Sequence, residues 1–466
     1  MSKKPNYLKI SNLKSKPKCM APWTNLWAKI IPNGYVMKPC CVYDAEFHTD
    51  NINEWLESEQ LKKLTKTLES GEYAEACWRC KNGDLEHLSF TKEIEKVKIK
   101  DKKNVKAIGY NAYTVDDLKT ILDKDDDKFI QLDIRPGNLC NLKCRTCNSS
   151  SSTEIAKENL EMANDKEFVD NITQIYKEAD KEIDTGAIHI LTQPKKYFEK
   201  YTDYTYSQTE KHKQRLDNLF EYANLRRLKL LGGEPSIDPA IISTMQELID
   251  KGYSNHNHFR LQIVTNMTNI NKTWKKYFEK LNVKLTASVD GAGETFEYLR
   301  FPAKWKSIEK NIKSLDSKTG RDDLSMNVVM SNILYLDLKK WLPVMNKLQQ
   351  EAGYILINFI EVDYPSHLSL DALPQKYKKK IIKDIESMLR QKSKNEYVFK
   401  GQTRKLLMRA KRNIKKVFFR PDNIHLLKAF FSIMMKQDQL RKQNIFSIRH
   451  TKEMYDEYMV DTKEKI

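Results

Sequence analysis

The chain runs to 466 residues, 40% of them hydrophobic, with a formal net charge of +18. That length accommodates two or three domains with a sizeable core. No run of about 18 apolar residues occurs, so neither a transmembrane helix nor a membrane partner is expected. The basic N-terminus, MSKKPNYLKISNLKSKPKCM, lacks the apolar core of a signal peptide. A cytoplasmic setting is expected, in which thiols stay reduced.

Cysteines stand at positions 19, 40, 41, 77, 80, 140, 144 and 147, and none follows. In a long cytoplasmic chain, such clustering reads as metal binding rather than as a disulfide framework. Residues 1–100 form the first expected unit. WTNLWAKI and GYVM read as two short strands joined by an Asn33-Gly34 turn, Asn-Gly being a strong hairpin signal. Cys19 precedes the first strand, and Cys40 and Cys41 close the second. Asn53 is placed to cap one helix, EWLESEQLKKLTKTLES, with Trp55, Leu56, Leu64 and Leu68 near one face and Gly71 past its end. The helix delivers the chain to Cys77-Trp-Arg-Cys80. Hairpin and knuckle together offer four thiolates from five cysteines, with the choice between Cys40 and Cys41 open. A structural zinc site on the same ligands is the alternative. Residues 101–127, ending in an acidic run, read as a charged linker.

From 128 to 365, short β-rich runs alternate with amphipathic helical stretches. The runs are FIQLDI (129–134), RLKLL (227–231), FRLQIVT (259–265), VKLTASV (283–289), LSMNVVM (324–330) and YILINFIEV (354–362). Helices are expected over 152–163, 239–250, 272–281, 304–315 and 337–350. This alternation implies a parallel sheet with right-handed crossovers, and chemistry belongs at the C-terminal ends of its strands. After the first strand come Cys140, Cys144 and Cys147, a C-x3-C-x2-C triplet. Iron–sulfur clusters normally use four thiolates, and three leave an iron position open, as a catalytic metal site requires. A zinc site, or a disulfide with a spare thiol, is the alternative.

After the second strand comes Gly232-Gly233-Glu234-Pro235. Its glycines let the backbone approach a ligand closely, and Glu234 can accept hydrogen bonds from an ammonium group. Asn266 follows the third strand. Ser288 and Asp290 end the fourth, and Arg300 follows in Tyr298-Leu-Arg300, its guanidinium matching a carboxylate bidentately. Asn332 follows the fifth. An insertion at about 165–222, between the first helix and the second strand, reads either as a lid or substrate contact or as surface decoration.

Residues 366–466 show no strand pattern, and 374–392, 402–418 and 424–440 read as helices. Residues 371–466 hold 25 Lys and Arg against 11 Asp and Glu, a net +14. RKLLMRAKRNIKKVFFR interleaves apolar and cationic residues, so one face can pack while the other stays charged. This region reads as a helical cap with a solvated basic face, or as a dock for an acidic partner: RNA, DNA or an acidic polypeptide.

The triplet, GGEP, SVDG and YLR on successive strands resemble the radical S-adenosylmethionine (SAM) enzymes, over about residues 128–330. The resemblance implies a partial (β/α)6 TIM-type barrel. It also implies a [4Fe-4S] cluster on Cys140, Cys144 and Cys147, with SAM positioned by Gly232, Gly233, Glu234, Pro235, Asn266, Ser288, Asp290 and Arg300. Asn332 is a further candidate for the ribose. In that family one electron splits SAM into methionine and a 5′-deoxyadenosyl radical, which abstracts hydrogen from a substrate, so a low-potential electron donor and an oxidoreductase or transferase activity are implied. Thr146 departs from the family, which usually has an aromatic residue there, near the adenine. Cys19, Cys40 or Cys41, Cys77 and Cys80 resemble the Twitch domain, a half-sized relative of the SPASM domain. That resemblance implies an auxiliary [4Fe-4S] cluster, although the unit here precedes the barrel. Proteins with such domains often modify peptides, so a peptide or protein substrate ranks first and a nucleotide or RNA second. The competing reading is a zinc-containing nucleic-acid-binding protein.

Overall fold

The computed structural model of the chain describes residues 3–13, 17–81, 127–178, 210–255, 259–281, 283–316, 324–353, 355–362 and 364–460. The linker expected at 101–127 lies outside them apart from Asp127, as does 179–209 of the insertion. The described parts of the insertion form helices Lys166–Glu178 and Glu210–Glu221. In chain order the strands are β1 (Asn25–Ile31), β2 (Gly34–Lys38), β3 (Phe47–Thr49), β4 (Phe129–Arg135), β5 (Lys143–Cys144), β6 (Ala223–Leu230), β7 (Arg260–Thr265), β8 (Val283–Ser288), β9 (Arg300–Phe301), β10 (Ser325–Met330), β11 (Leu356–Glu361), β12 (Lys392–Ser393) and β13 (Glu396–Tyr397). Among the described residues, no helix is long and apolar enough to cross a membrane.

The chain packs as two compact units. The first holds Met1–Gly137, Tyr204–Ile263 and Lys280–Asn282. Here β1 and β2 pair antiparallel, β3 extends β2, and β1 lies parallel to β4, which is followed by β6 and β7 in parallel register. The cysteine-rich hairpin therefore continues the same sheet as the βα strands. Its turn falls on Pro32-Asn33 rather than the expected Asn33-Gly34, because Ile31 pairs with Gly34. Gly34 is instead the point of contact with β3: a Cβ there would lie 2.2 Å from the Thr49 carbonyl oxygen. The single helix expected over 54–70 is two, Ile52–Leu56 capped by Asn51 and Glu59–Glu69 capped by Ser58. Ser58 is a better N-cap than a helix-interior residue, because its hydroxyl accepts from the Leu61 N–H.

Register gives this sheet two chemically distinct faces, since successive side chains alternate. One face carries Leu26, Leu132, Leu228 and Leu261 in a row, all fully buried or nearly so. On the other, Gln131 lies opposite Arg227 and Asp133 opposite Lys229. These polar side chains are also buried or nearly so. Helix Pro239–Asp250 is capped by Asp238 and buries Ala240, Ile241, Thr244, Met245 and Leu248 along one stripe.

The second unit holds Asn138–Asp203, Val264–Glu279 and Val283–Ile466. In it β8, β10 and β11 run parallel, with Asn327 opposite both Ser288 and Asn358. Helix Trp305–Lys313 packs through Trp305, Ile308 and Ile312, and helix Leu338–Ala352 through Leu338, Trp341, Leu342, Met345 and Leu348. The basic region forms helices Gln375–Arg390, Gly401–Val417 and Ile424–Arg441. It also contains a strand pair absent from the sequence reading. β12 and β13 join through Lys394 and Asn395, both at positive φ, as a tight hairpin turn requires. Helix Ile424–Arg441 buries Leu426, Leu427, Phe430, Phe431 and Met434.

Candidate functional site

The triplet loop lies in the second unit and is fastened along its length. Before the first cysteine, the Asn138 carbonyl accepts from the Thr153 N–H and its amide donates to the Ser149 carbonyl. Ser152, the N-cap of helix Thr153–Ala163, donates its hydroxyl to the Leu142 carbonyl, and Thr153 does the same to Cys140. The middle of the loop is β5, which pairs antiparallel with β9, setting Cys144 opposite Arg300. The Cys147 N–H then donates to the Cys144 carbonyl. This folding brings the three thiols into one another's electrostatic field. Burial pushes the Cys147 thiol well up, and the neighbouring Cys144 and Cys140 add to the effect. All three are free thiols.

Arg300 is buried beside this group. Burial opposes its charge, but Cys144, Asp290 and Cys140 more than offset that and its pKa is raised. Its Nη1 donates to Asp290 Oδ2 at 2.8 Å, while Asp290 Oδ1 accepts from the Val329 N–H. The buried Nε has no hydrogen-bond partner among the described residues. Two of the expected SAM-contacting residues are therefore an ion pair next to the cysteines. Asn266 is tied to the same loop: its amide donates to Asn141 Oδ1 at 2.9 Å, and Asn141 in turn donates to Thr268. Ser288 is half-buried at the end of β8. Asn332 is fully buried and donates to the His367 carbonyl.

The Gly232–Pro235 turn lies in the first unit. The Gly233 N–H donates to the Gly137 carbonyl, and a Cβ on Gly232 would lie 2.7 Å from that same oxygen. Glu234 is 1% exposed, and its carboxylate accepts from the Ser236 N–H at 3.0 Å, so it caps the short helical turn Pro235–Ile237.

The other five cysteines line one cavity of about 110 Å³ in the first unit, together with Tyr43, Gln131, Asp133, Arg227 and Lys229. Burial pushes the Cys19 thiol up to about 12 and the Cys77 thiol to about 11, with neighbouring thiols contributing. Cys40 is pushed well up by burial, then by Cys41, Cys19 and Cys80. Backbone N–H groups of Ala21, Val42 and Ala74 act in the opposite sense on Cys19, Cys40 and Cys77. Such N–H contacts to sulfur are among the means by which a protein tunes a thiolate-held centre. The knuckle is joined to the Cys40–Cys41 loop by Trp78, whose indole donates to Asp44. Cys41 is exposed, unlike the other four. Among the described residues, no three Cys, His, Asp or Glu side chains are already closed around a single-ion position.

Several residues around these centres escaped the sequence reading. Arg145, inside the triplet, is one of them and has no local signal of its own. Asp133 and Lys229 carried a usable signal, since a charged residue alternates there with Leu or Ile in a strand buried on both faces. On helix Gly401–Val417, Lys405, Arg412, Lys415 and Lys416 are exposed.

No protein-family model matches the chain, and no curated protein does. Among solved structures, Streptococcus suis SuiB bound to precursor peptide SuiA is 12% identical, with 86% of this chain and 77% of that one covered at a TM-score of 0.31. SuiB bound to S-adenosylmethionine is 12% identical, with 78% and 69% covered at 0.31. Native anSMEcpe with bound AdoMet and the Cp18Cys peptide is 16% identical, with 56% and 60% covered at 0.32. The chain thus spans about 60% of the length of the anSMEcpe structures. Overlaps this loose assign neither an activity nor a ligand to this chain.

Proposed function

We propose that the chain is a radical SAM enzyme built on a partial (β/α)6 barrel, with an N-terminal Twitch-like unit. The observation that carries this reading is the loop that gathers Cys140, Cys144 and Cys147 beside the buried Arg300–Asp290 pair. The donor set fits the group: three thiols are what an iron–sulfur cluster with one open iron needs. Cys140, Cys144 and Cys147 would hold a [4Fe-4S] cluster which, with SAM bound, supplies a 5′-deoxyadenosyl radical for hydrogen abstraction. Loading would displace the thiol protons, that of Cys147 being held by burial. Arg300 supplies positive charge beside the cysteines and holds Asp290 through its Nη1. Gly232 and Gly233 leave room for close backbone approach, and Glu234, with Pro235 behind it, presents a carboxylate for an ammonium group. Asn266 braces the loop through Asn141.

Cys19, Cys40, Cys77 and Cys80 would hold the auxiliary cluster, with Cys40 preferred over Cys41. The Cys40 thiol is buried in the field of Cys19 and Cys80, whereas Cys41 faces solvent. The substrate class in first place is a peptide or protein, as the Twitch resemblance implies. The exposed cations of helix Gly401–Val417 keep an acidic or nucleic-acid partner as the second.

The test is anaerobic reconstitution with iron and sulfide, reduction with dithionite, and assay of 5′-deoxyadenosine from added SAM. Wild-type protein should form it, and the Cys140→Ala/Cys144→Ala/Cys147→Ala variant should not. Colourless protein that takes up zinc and forms no product overturns the reading in favour of a zinc protein.

A further inference from the structure

Arg145 stands between two cysteines of the triplet, yet its side chain is wholly buried and turned into the C-terminal helix. Its guanidinium meets an acceptor in every direction. Nε donates to the Tyr298 carbonyl at 3.1 Å, Nη1 to Gln437 Oε1 at 2.9 Å and to Met434 Sδ at 3.4 Å, and Nη2 to Gln443 Oε1 at 2.9 Å and to Asp438. Its Cζ lies 3.9 Å from the centre of the Tyr298 ring. Asp438 is likewise saturated, accepting also from the Ile445 N–H and from the Tyr298 hydroxyl. On the other side of Cys144, Lys143 lies 3.7 Å from Glu158, which is wholly buried and paired with the equally buried Arg441 of the same C-terminal helix. Both residues flanking Cys144 are therefore joined to helix Ile424–Arg441, one directly and one through Glu158.

A surface cation needs no such arrangement. The planar fork of Arg gives a fixed geometry that Lys cannot reproduce, and a buried guanidinium requires a buried counter-charge. We infer that Arg145 is a positioning residue: with Asp438 it locks the cysteine loop onto the C-terminal helix and keeps the ground beside the cluster electrically neutral. This rests on the reading that the loop holds an iron–sulfur cluster. Reduction adds negative charge to such a cluster, so an uncompensated positive charge nearby favours the reduced form. Charge and hydrogen bonding at this range are among the protein's means of setting the potential.

The test compares reconstituted Asp438→Asn and Arg145→Lys with wild type by anaerobic redox titration. The cluster is followed through the part of the reduced EPR signal that changes on adding SAM. Iron release to a chelator is timed in parallel, and Lys436→Gln serves as control. Lys436 lies on the same helix but pairs with Asp165, whose carboxylate accepts from the Phe168 N–H at the start of helix Lys166–Glu178. Asp438→Asn, nearly isosteric, leaves Arg145 without its counter-charge. It should raise the reduced-to-oxidised ratio at fixed potential roughly tenfold, a shift of about 59 mV for one electron. Arg145→Lys keeps the charge but cannot satisfy the fork, so it should release iron several-fold faster with little change in potential. Lys436→Gln should do neither. Wild-type potential and iron retention in both variants, or equal effects in Lys436→Gln, would overturn the inference while leaving the cluster reading intact. Failure of wild-type protein to assemble a SAM-sensitive cluster would overturn the cluster reading itself, and the inference with it.

Discussion

Cys144 and Arg300 face each other across a two-residue antiparallel bridge, so the middle cysteine of the triplet and the residue that bears this guanidinium are fixed by backbone hydrogen bonding. Arg300 in turn holds Asp290, and both members of that ion pair are nearly excluded from solvent. Breaking such a pair from one side leaves a buried charge without compensation. Asp290→Asn should therefore lower stability by about 3–5 kcal/mol, read as a reduced midpoint in urea denaturation. An unchanged midpoint would mean that the pair is solvated in solution.

The Gly232–Gly137 approach gives a second prediction. An alanine at 232 would place its Cβ 2.7 Å from a backbone oxygen, which cannot rotate away. Gly232→Ala should cost roughly 1–3 kcal/mol, as overpacking does, and should weaken SAM binding in calorimetric titration. Wild-type SAM affinity in a folded Gly232→Ala protein would count against this turn as part of the cofactor site.

Cys40 and Cys41 are adjacent in sequence and differ in exposure. After anaerobic reconstitution, Cys40→Ser should lose about one cluster's worth of iron per chain, and Cys41→Ser should keep it. The reverse pattern would assign Cys41 as the ligand. Equal iron in both variants would leave the cavity without a role in holding iron.

His367 is buried, with its Nδ1 2.7 Å from the Tyr176 hydroxyl. Burial holds its pKa down at about 3, against 6.5 in the unfolded chain. The folded state therefore resists a proton that the unfolded state accepts. The associated stability is complete above pH 6.5 and is lost as pH falls from 6.5 towards 3. The limiting slope is about 1.4 kcal/mol per pH unit. Denaturation midpoints measured between pH 7 and 4 should fall in wild type and fall less steeply in His367→Gln. Parallel curves would show that this imidazole does not contribute.

What could be read in the sequence was local. The apolar runs that became β4, β6, β7, β8, β10 and β11 announce themselves by composition, and the helix at 239–250 by its Asp-Pro start and periodic Ile, Met and Leu. The division of the 54–70 helix at Ser58 was missed because the apolar period continues across the break. Pairing at a distance has no local signature. Nothing near Asn25 indicates that it will lie beside Gln131. Nothing in RTC says that its arginine will be buried among the residues of a helix that begins at Ile424. The basic composition of the C-terminal region pointed outward, whereas Arg441 and Asp438 face inward.

The separation between Arg145 and its acceptor Asp438 is 293 residues. At the usual pace of synthesis, about 5–20 residues per second, Asp438 is made roughly 15–60 s after Arg145. Throughout that interval the cysteine loop exists on the ribosome without the helix that anchors Arg145. A metal centre assembled in that interval would be held by a loop whose anchor on Asp438 had yet to be made. Folding of the loop is thus tied to residues made long after it, and a chain lacking 424–441 would leave Arg145 and Glu158 without the partners they meet in the interior.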